Sequence, residues 1–518
     1  MDNIRGTAGL VATGPGEFVH IRGLHSHFAS ACVGRPCDQP GKRTQKRSIG
    51  TTHSAGSLVR MHAGWQATVA LYPGECIQEL TMRPTRPILA RVAVFLLFVF
   101  VCSGVGTGYS VLTHEEIIDL LWKDQLRPLL LQRFPQASEE DLKQAHAYAY
   151  GGSVIQDMGY YPFGNKYFSD LVHYVRSGDF VSALIRDSSD LNEYAFALGA
   201  LAHYASDNSG HPTINRVVAV TFPKLERKYG QEVTYADDPK AHIRTEFGFD
   251  MVQVAKNHYT SDNYHDFIGF EISKPLLENA FEETYGLQLQ DVIHNEDLAI
   301  GTFRHAISKV IPEMTRVALL SRRKEIVRDT PNFNEKEFLY HLSRAEYQKQ
   351  WGNGYRKPGF GTRMLAFFLK IVPKVGPFRA VAFKIPTTQT EDMYIKSINK
   401  TVDDYAALLR EQKVRQLTIA DLDFDTGRET RAGEYSLADK TYARLLDDLA
   451  KHDFDQASPA LRRNILAFYA DPDAPIATKT NAKAWRTTQE ELEELKVSHA
   501  DHAVDAASTV PLGQESLE

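Results

Sequence analysis

From residue 109 to its last position the chain contains no cysteine. Its four cysteines, Cys32, Cys37, Cys76 and Cys102, all come earlier. The long remainder therefore holds no disulfide and no thiolate-bound zinc, so a metal there must rely on His, Asp, Glu or main-chain atoms. A large excess of one charge is also missing: the formal net charge of -6 gives no support to binding of a polyanion. Strand signals are few. No H-E-x-x-H pair occurs, so the helix-borne zinc-protease motif is absent. Apolar runs are short. Val92 to Val101 is an unbroken run of ten, where a membrane-spanning helix needs about 20.

That short run reads as the core of a secretory signal over residues 82–108. Arg83, Arg86 and Arg91 form its basic flank, and Gly106-Thr107-Gly108 supplies small residues before a cut that makes Tyr109 the mature N-terminus. The expected location is secreted or periplasmic after cleavage; the alternative is an uncleaved membrane anchor. Attachment of lipid at Cys102 is disfavoured, because Phe100 and Val101 stand where small residues are needed. Residues 1–81 precede Met82 and show no sustained period. They are read either as an over-extended start or as a disordered presequence, and carry no assigned function.

At 518 residues the chain is long enough for two or more domains. From Val111 to about Val327 its apolar residues recur at helical spacing, which predicts an all-α multi-helix bundle. Thr113 with Glu116 has the pattern of a capping box. The periodicity predicts helices over 115–131, 139–150 (ended by Gly151-Gly152), 166–178, 191–206, 240–255 and 297–322, with Pro212 closing the central one. Leu191 to Ser206 is apolar on nearly all sides, as befits a buried central helix. The expected domains are 109–328, a helical extension over 329–412, and a polar region over 413–518. In the last, helices are predicted at 437–451 and near 487–497, and a disordered tail covers the final twenty or so residues. Within the extension, 356–386 carries Arg356, Lys357, Arg363, Lys370, Lys374, Arg379 and Lys384 without one acidic residue. It suits either a peripheral contact with an anionic membrane or a buried hairpin with snorkelling lysines.

The richest pattern is a pair of four-residue steps, His203-x-x-x-Asp207 and His242-x-x-x-Glu246, with His211 four residues beyond Asp207. Four residues is close to one helical turn, so each step stacks an imidazole and a carboxylate on one face, aimed at one point. That donor pair suits a divalent metal such as zinc. An unpaired Asp207 in so apolar a helix would be costly, and a metal removes the cost. Asp157 and His173 lie on the preceding loop and helix.

These residues resemble the zinc-dependent phospholipase C and S1/P1 nuclease superfamily, over about 109–325. The order of a free N-terminal residue, an early His, an Asp, a His, HxxxD, a further His and HxxxE is present throughout. The resemblance implies a helical fold and up to three Zn2+ ions. It assigns Asp157, His173, His203 and Asp207 to the first, and His211, His242 and Glu246 to the second. The third takes the main-chain amine and carbonyl of Tyr109, with His114 and a bridging Asp207. The interval from Tyr109 to His114 matches the nuclease branch, and the tyrosine replaces a usual tryptophan. The interval from Asp207 to His211 is like that of the glycosylphosphatidylinositol-specific phospholipase D group.

The implied reaction is phosphodiester hydrolysis by metal-activated water, with Asp157 the candidate catalytic base. Glu115, Asn208 and Asp250 are candidates for supporting positions. The aromatic run Tyr160-Tyr161-Pro162-Phe163 either contacts substrate or closes the bundle. Glu246, where nucleases have Asp, favours a phospholipid substrate. The alternatives are a single-strand nuclease, with nucleic acid as substrate, and a non-catalytic helical binding domain stabilised by metal.

Overall fold

The computed structural model describes residues 111–255, 270–311, 384–413 and 417–508. The signal-like segment, Tyr109, residues 1–81 and nearly all of the basic segment 356–386 lie outside them.

The described chain is all-α, as its periodicity predicts. Helix α1 (Val111–Leu121) passes through a π-helical stretch, Trp122–Leu126, into α2 (Arg127–Arg133). Next come α3 (Glu139–Ser153), a 3-10 turn (Ile155–Tyr160), α4 (Lys166–Tyr174), α5 (Ser177–Asp187) and α6 (Leu191–Thr221). Then follow α7 (Pro223–Tyr229), α8 (Pro239–Ala255), α9 (Lys274–Tyr285), α10 (Leu289–Val292) and α11 (Glu296–His305). After residue 384 the described helices are α12 (Thr388–Lys413), α13 (Ser436–Ala450), α14 (Pro459–Phe468) and α15 (Ala482–Ser508). Before α13 a two-stranded antiparallel ribbon pairs Leu422 with Glu429 and Asp423 with Arg428.

Helix α6 organises the rest. Asp190 caps it by accepting from the backbone N–H groups of Asn192 and Glu193, which satisfies two of the donors that every helix start leaves over. Helices α3, α12, α5, α8 and α1 all pack on it. One large apolar core runs from Val111 to Leu495 and draws on helices from both ends of the described chain. The Tyr405 hydroxyl of α12 donates to the carbonyl of Leu198 inside this core at 2.8 Å.

Three local expectations are corrected. Pro212 does not close the central helix, which runs on to Thr221. A proline lacks one donor but fits a helix whose freed carbonyl has another neighbour; here the carbonyl belongs to Asn208, and Gly427 of the ribbon turn lies against it. Gly427 has φ +67°, and a Cβ there would stand 2.6 Å from that oxygen. Gly151-Gly152 do not end α3, which continues through Ser153. They lie at close backbone contacts instead, Gly151 against Glu271 and Gly152 against the central helix. A Cβ on Gly152 would come within 1.9 Å of the Phe196 carbonyl oxygen, and one on Gly199 within 2.2 Å of that of Ala149. Thr113 sits inside α1 rather than capping it; its hydroxyl donates to Asp250 and pairs with the Tyr394 hydroxyl. Two other helices have shifted limits. The stretch 166–178 is broken by Arg176 in the left-handed region, and α15 extends to Ser508, into the expected tail.

The glycine contact lets α3 and α6 approach backbone to backbone, and overpacking such a contact costs about 1–3 kcal/mol. Gly199→Ala is expected to lower stability by at least that amount in a urea titration. An unchanged midpoint would show that the helices separate freely.

Candidate metal centre

Along α6, His203, Asp207 and His211 follow one another at four-residue intervals and share one face. Asp207 is fully buried and four imidazoles surround it. Its Oδ2 lies 3.1 Å from His203 Nε2, 3.5 Å from His173 Nε2 and 3.5 Å from His211 Nε2. Its Oδ1 lies 3.5 Å from His114 Nε2. The His114 ring, from α1, stacks on that of His203 at 4.5 Å between centroids.

Neighbouring elements fix how the rings face. His203 Nδ1 is 2.9 Å from the carbonyl of Ser153, at the end of α3. His173 Nδ1 is 2.8 Å from the carbonyl of Ser169, one turn earlier in α4. His242 Nε2 is 2.8 Å from the carbonyl of Val233. A carbonyl only accepts, so in each ring that nitrogen carries a proton and the other is the one turned to the cluster. This is how histidines that ligate metals are commonly oriented. The Ser169 hydroxyl also donates to the carbonyl of Gln156 at 2.5 Å and accepts from the Gly159 N–H at 3.0 Å. It thereby clamps the 3-10 turn to α4 and brings Asp157 Oδ1 to 3.5 Å from His173 Nε2.

The donors form three groups, each with its ligand atoms within 4.8 Å of one another: His114, His203 and Asp207; Asp157, His173 and His203; His211, His242 and Glu246. All are buried. Every side chain that the sequence assigns to a metal is therefore in this cluster, apart from Tyr109, which contributes through main-chain atoms and lies outside the described residues.

The electrostatics call for positive charge. Burial works against the charged form of Asp207, yet His203 and His211 hold its pKa well below the usual carboxylate range. Burial likewise opposes charge on His173, but Asp157 and Asp207 outweigh it and lift that imidazole to about 10. Burial, and then the ring of His203, push His114 down to about 3. Burial raises Asp157 and Glu246. Both carboxylate oxygens of Asp157 and of Asp207, with Nε2 of His173, His203 and His211, are buried and make no hydrogen bond. Such atoms need a partner. Mixed nitrogen and carboxylate donors of this kind fit zinc.

The supporting candidates divide. Glu115 is fully buried. Asn208 turns its amide back to the Tyr204 carbonyl at 2.8 Å, and Asp250 accepts from Thr113 at 3.2 Å. In the aromatic run, Tyr160 and Tyr161 are buried, whereas Phe163 is 63% exposed. Tyr160 meets His173 edge-on at 6.0 Å.

Sequence reasoning missed the ribbon. Phe424 is buried against His173, 5.1 Å between centroids, and its N–H donates to the His173 carbonyl at 3.2 Å. Asp425 Oδ1 lies 3.3 Å from His211 Nε2. Together with Asp207 it overcomes the effect of burial and lifts the His211 imidazole to about 9. The signal was the alternation Asp421-Leu-Asp423-Phe-Asp425, unreadable without knowing what the ribbon touches.

An all-α domain with three buried His/carboxylate donor groups is the architecture of a metal-dependent hydrolase. Residues 113–295, about a third of the chain, match the family model of zinc-dependent phospholipase C. No curated protein and no solved structure matches the chain. Among the described residues no helix is long and apolar enough to cross a membrane.

Zinc returned to chelator-treated protein is expected to raise its thermal unfolding midpoint, since an ion at a hundredfold its Kd stabilises by about 2.7 kcal/mol per site. A midpoint indifferent to zinc would show that these donors hold none.

Proposed function

We propose that this chain is a secreted, phospholipase C-like phosphodiesterase. The observation that carries the reading is the convergence of the three buried donor groups around Asp207. Asp157, His173, His203 and Asp207 would hold one zinc, and His211, His242 and Glu246 a second. His114 and Asp207, with main-chain atoms of Tyr109, would hold a third. Removal of residues 82–108 would free the Tyr109 amine for that role. When bound, such ions neutralise phosphate oxygens, acidify water and stabilise the leaving oxygen.

The chain's own residues supply the rest. Asp157 has its pKa raised by burial and both carboxylate oxygens open to a partner. It is the proposed base, orienting a water and taking its proton at a carboxylate oxygen. That water attacks phosphorus, the bond from phosphorus to the glycerol oxygen breaks, and the departing oxygen takes up the proton that Asp157 removed from the water. The carbonyls of Ser153, Ser169 and Val233 hold the imidazoles in their facing tautomers throughout. Phe424 and Tyr160 line the cluster with apolar surface and limit stray water.

A lipid substrate is supported by one edge of the molecule. Phe163 is exposed there, and so is Leu298 of α11. Thr302, one turn on from Leu298, donates to the carbonyl of Pro162 at 2.7 Å, which ties together the two segments that carry these side chains. Exposed apolar side chains suit a phospholipid surface. The basic segment 356–386 is proposed as a second peripheral contact with anionic lipid.

Purified protein is expected to release diacylglycerol from phosphatidylcholine vesicles and to leave single-stranded DNA intact; cleavage of the DNA alone would establish the nuclease reading. Asp157→Asn is expected to lower lipid turnover at least about a hundredfold with its far-UV circular dichroism unchanged. Full turnover in that variant would remove Asp157 from the mechanism.

A further inference from the structure

Asp425 lies far outside the stretch that matches the family, yet it reaches His211. Its setting is built. Oδ2 accepts from the Tyr174 hydroxyl at 2.9 Å and from the Tyr435 hydroxyl. Its backbone N–H donates to Asp423 Oδ1 at 2.9 Å, and its carbonyl accepts from Asn215 Nδ2, on α6, at 2.8 Å. The residue is 2% exposed. One carboxylate oxygen is thus held by two phenols, while the other faces the cluster.

That other oxygen stands 3.3 Å from His211 Nε2. Two donor atoms each about 2.0 Å from one tetrahedral zinc lie about 3.3 Å apart. The same spacing separates His242 Nδ1 from Glu246 Oε1, at 3.2 Å. His211 Nε2 is buried and turned to this oxygen, with which it makes an ion pair; a metal between the two atoms would take the place of that pair.

We infer that Asp425 is a fourth protein ligand of the metal held by His211, His242 and Glu246, contributed through Oδ1 by the ribbon at 422–429. The proposal rests on the zinc reading above and extends it: the second metal position is completed from the C-terminal part of the chain. Tyr174 and Tyr435 orient the carboxylate as outer partners, in the way such groups orient first ligands elsewhere. Three protein ligands leave a zinc an open position, and four close it. The ion at this position is accordingly held more firmly and has less room for an exchangeable water than three ligands alone would give it.

The test measures zinc affinity, independent of turnover. The full chain and its Asp425→Asn variant are stripped with chelator, titrated with zinc against a chromophoric competitor, and assayed by elemental analysis. Loss of an outer partner costs about 10–100-fold in affinity, so a lost ligand should weaken one zinc equivalent by more than about a hundredfold while the others hold. Any smaller change overturns the proposal. If the asparagine variant does not fold, Asp425→Glu is compared with the unaltered protein after cobalt substitution. A changed visible d–d spectrum supports direct ligation, and an identical one overturns it. An unaltered protein that binds no zinc sinks the hydrolase reading as well, whereas a full zinc complement with an indifferent Asp425→Asn variant sinks only this inference.

Discussion

Asp207 is a carboxylate enclosed on all sides, and a buried charge of that kind is strongly destabilising unless it is compensated. Compensation here comes from four imidazoles on three helices at once. His203 and His211 arrive from Asp207's own helix, His114 from α1 and His173 from α4, all within 3.5 Å. Neither His114 nor His173 reaches the carboxylate unless the helices carrying them are packed in their observed places. Folding and assembly of the centre are therefore one event, and the glycine contact between α3 and α6 belongs to both. It lets the Ser153 carbonyl come within hydrogen-bonding distance of His203, so backbone packing determines which ring nitrogen looks inward.

The ribbon extends the same logic to the far end of the sequence. It is fastened to the core by main-chain and hydroxyl bonds: Phe424 to the His173 carbonyl, and the Ser177 hydroxyl to the Leu422 carbonyl at 2.6 Å. The Asp421 carboxylate accepts from the Gly178 and Asp179 N–H groups at 3.0 Å each, placing negative charge at the start of α5, where a helix favours it. Helices α12 and α13 then share the apolar core with the family-matching stretch. What looks from composition like a polar C-terminal region is structurally continuous with the metal centre.

Much of this was readable from the residues. The helical period gave the fold class, and the four-residue steps gave the face on which His203, Asp207 and His211 lie, because both follow from local geometry. The misreadings share one cause. Pro212 and Gly151-Gly152 are helix breakers by intrinsic preference, but tertiary contacts overrode them: a neighbouring glycine against the freed carbonyl in one case, close helix approach in the other. Thr113 likewise exchanged a local cap for partners on α8 and α12. Asp425 was illegible for a different reason. The contacts that make it notable join residues as much as 251 positions apart, and no local pattern encodes such a meeting.

The run from His203 to His211 has a consequence for what changes this chain can absorb. Each four-residue step along a helix climbs about 6 Å, so α6 serves as a ruler on which the donors are graduated. Loops elsewhere can lengthen or shorten with little effect, since closure entropy varies slowly with length. A single insertion or deletion between positions 203 and 211 would instead turn every later donor about 100° around the axis and scatter the cluster. Sequence length within this stretch is consequently more tightly bound than residue identity on its outward face.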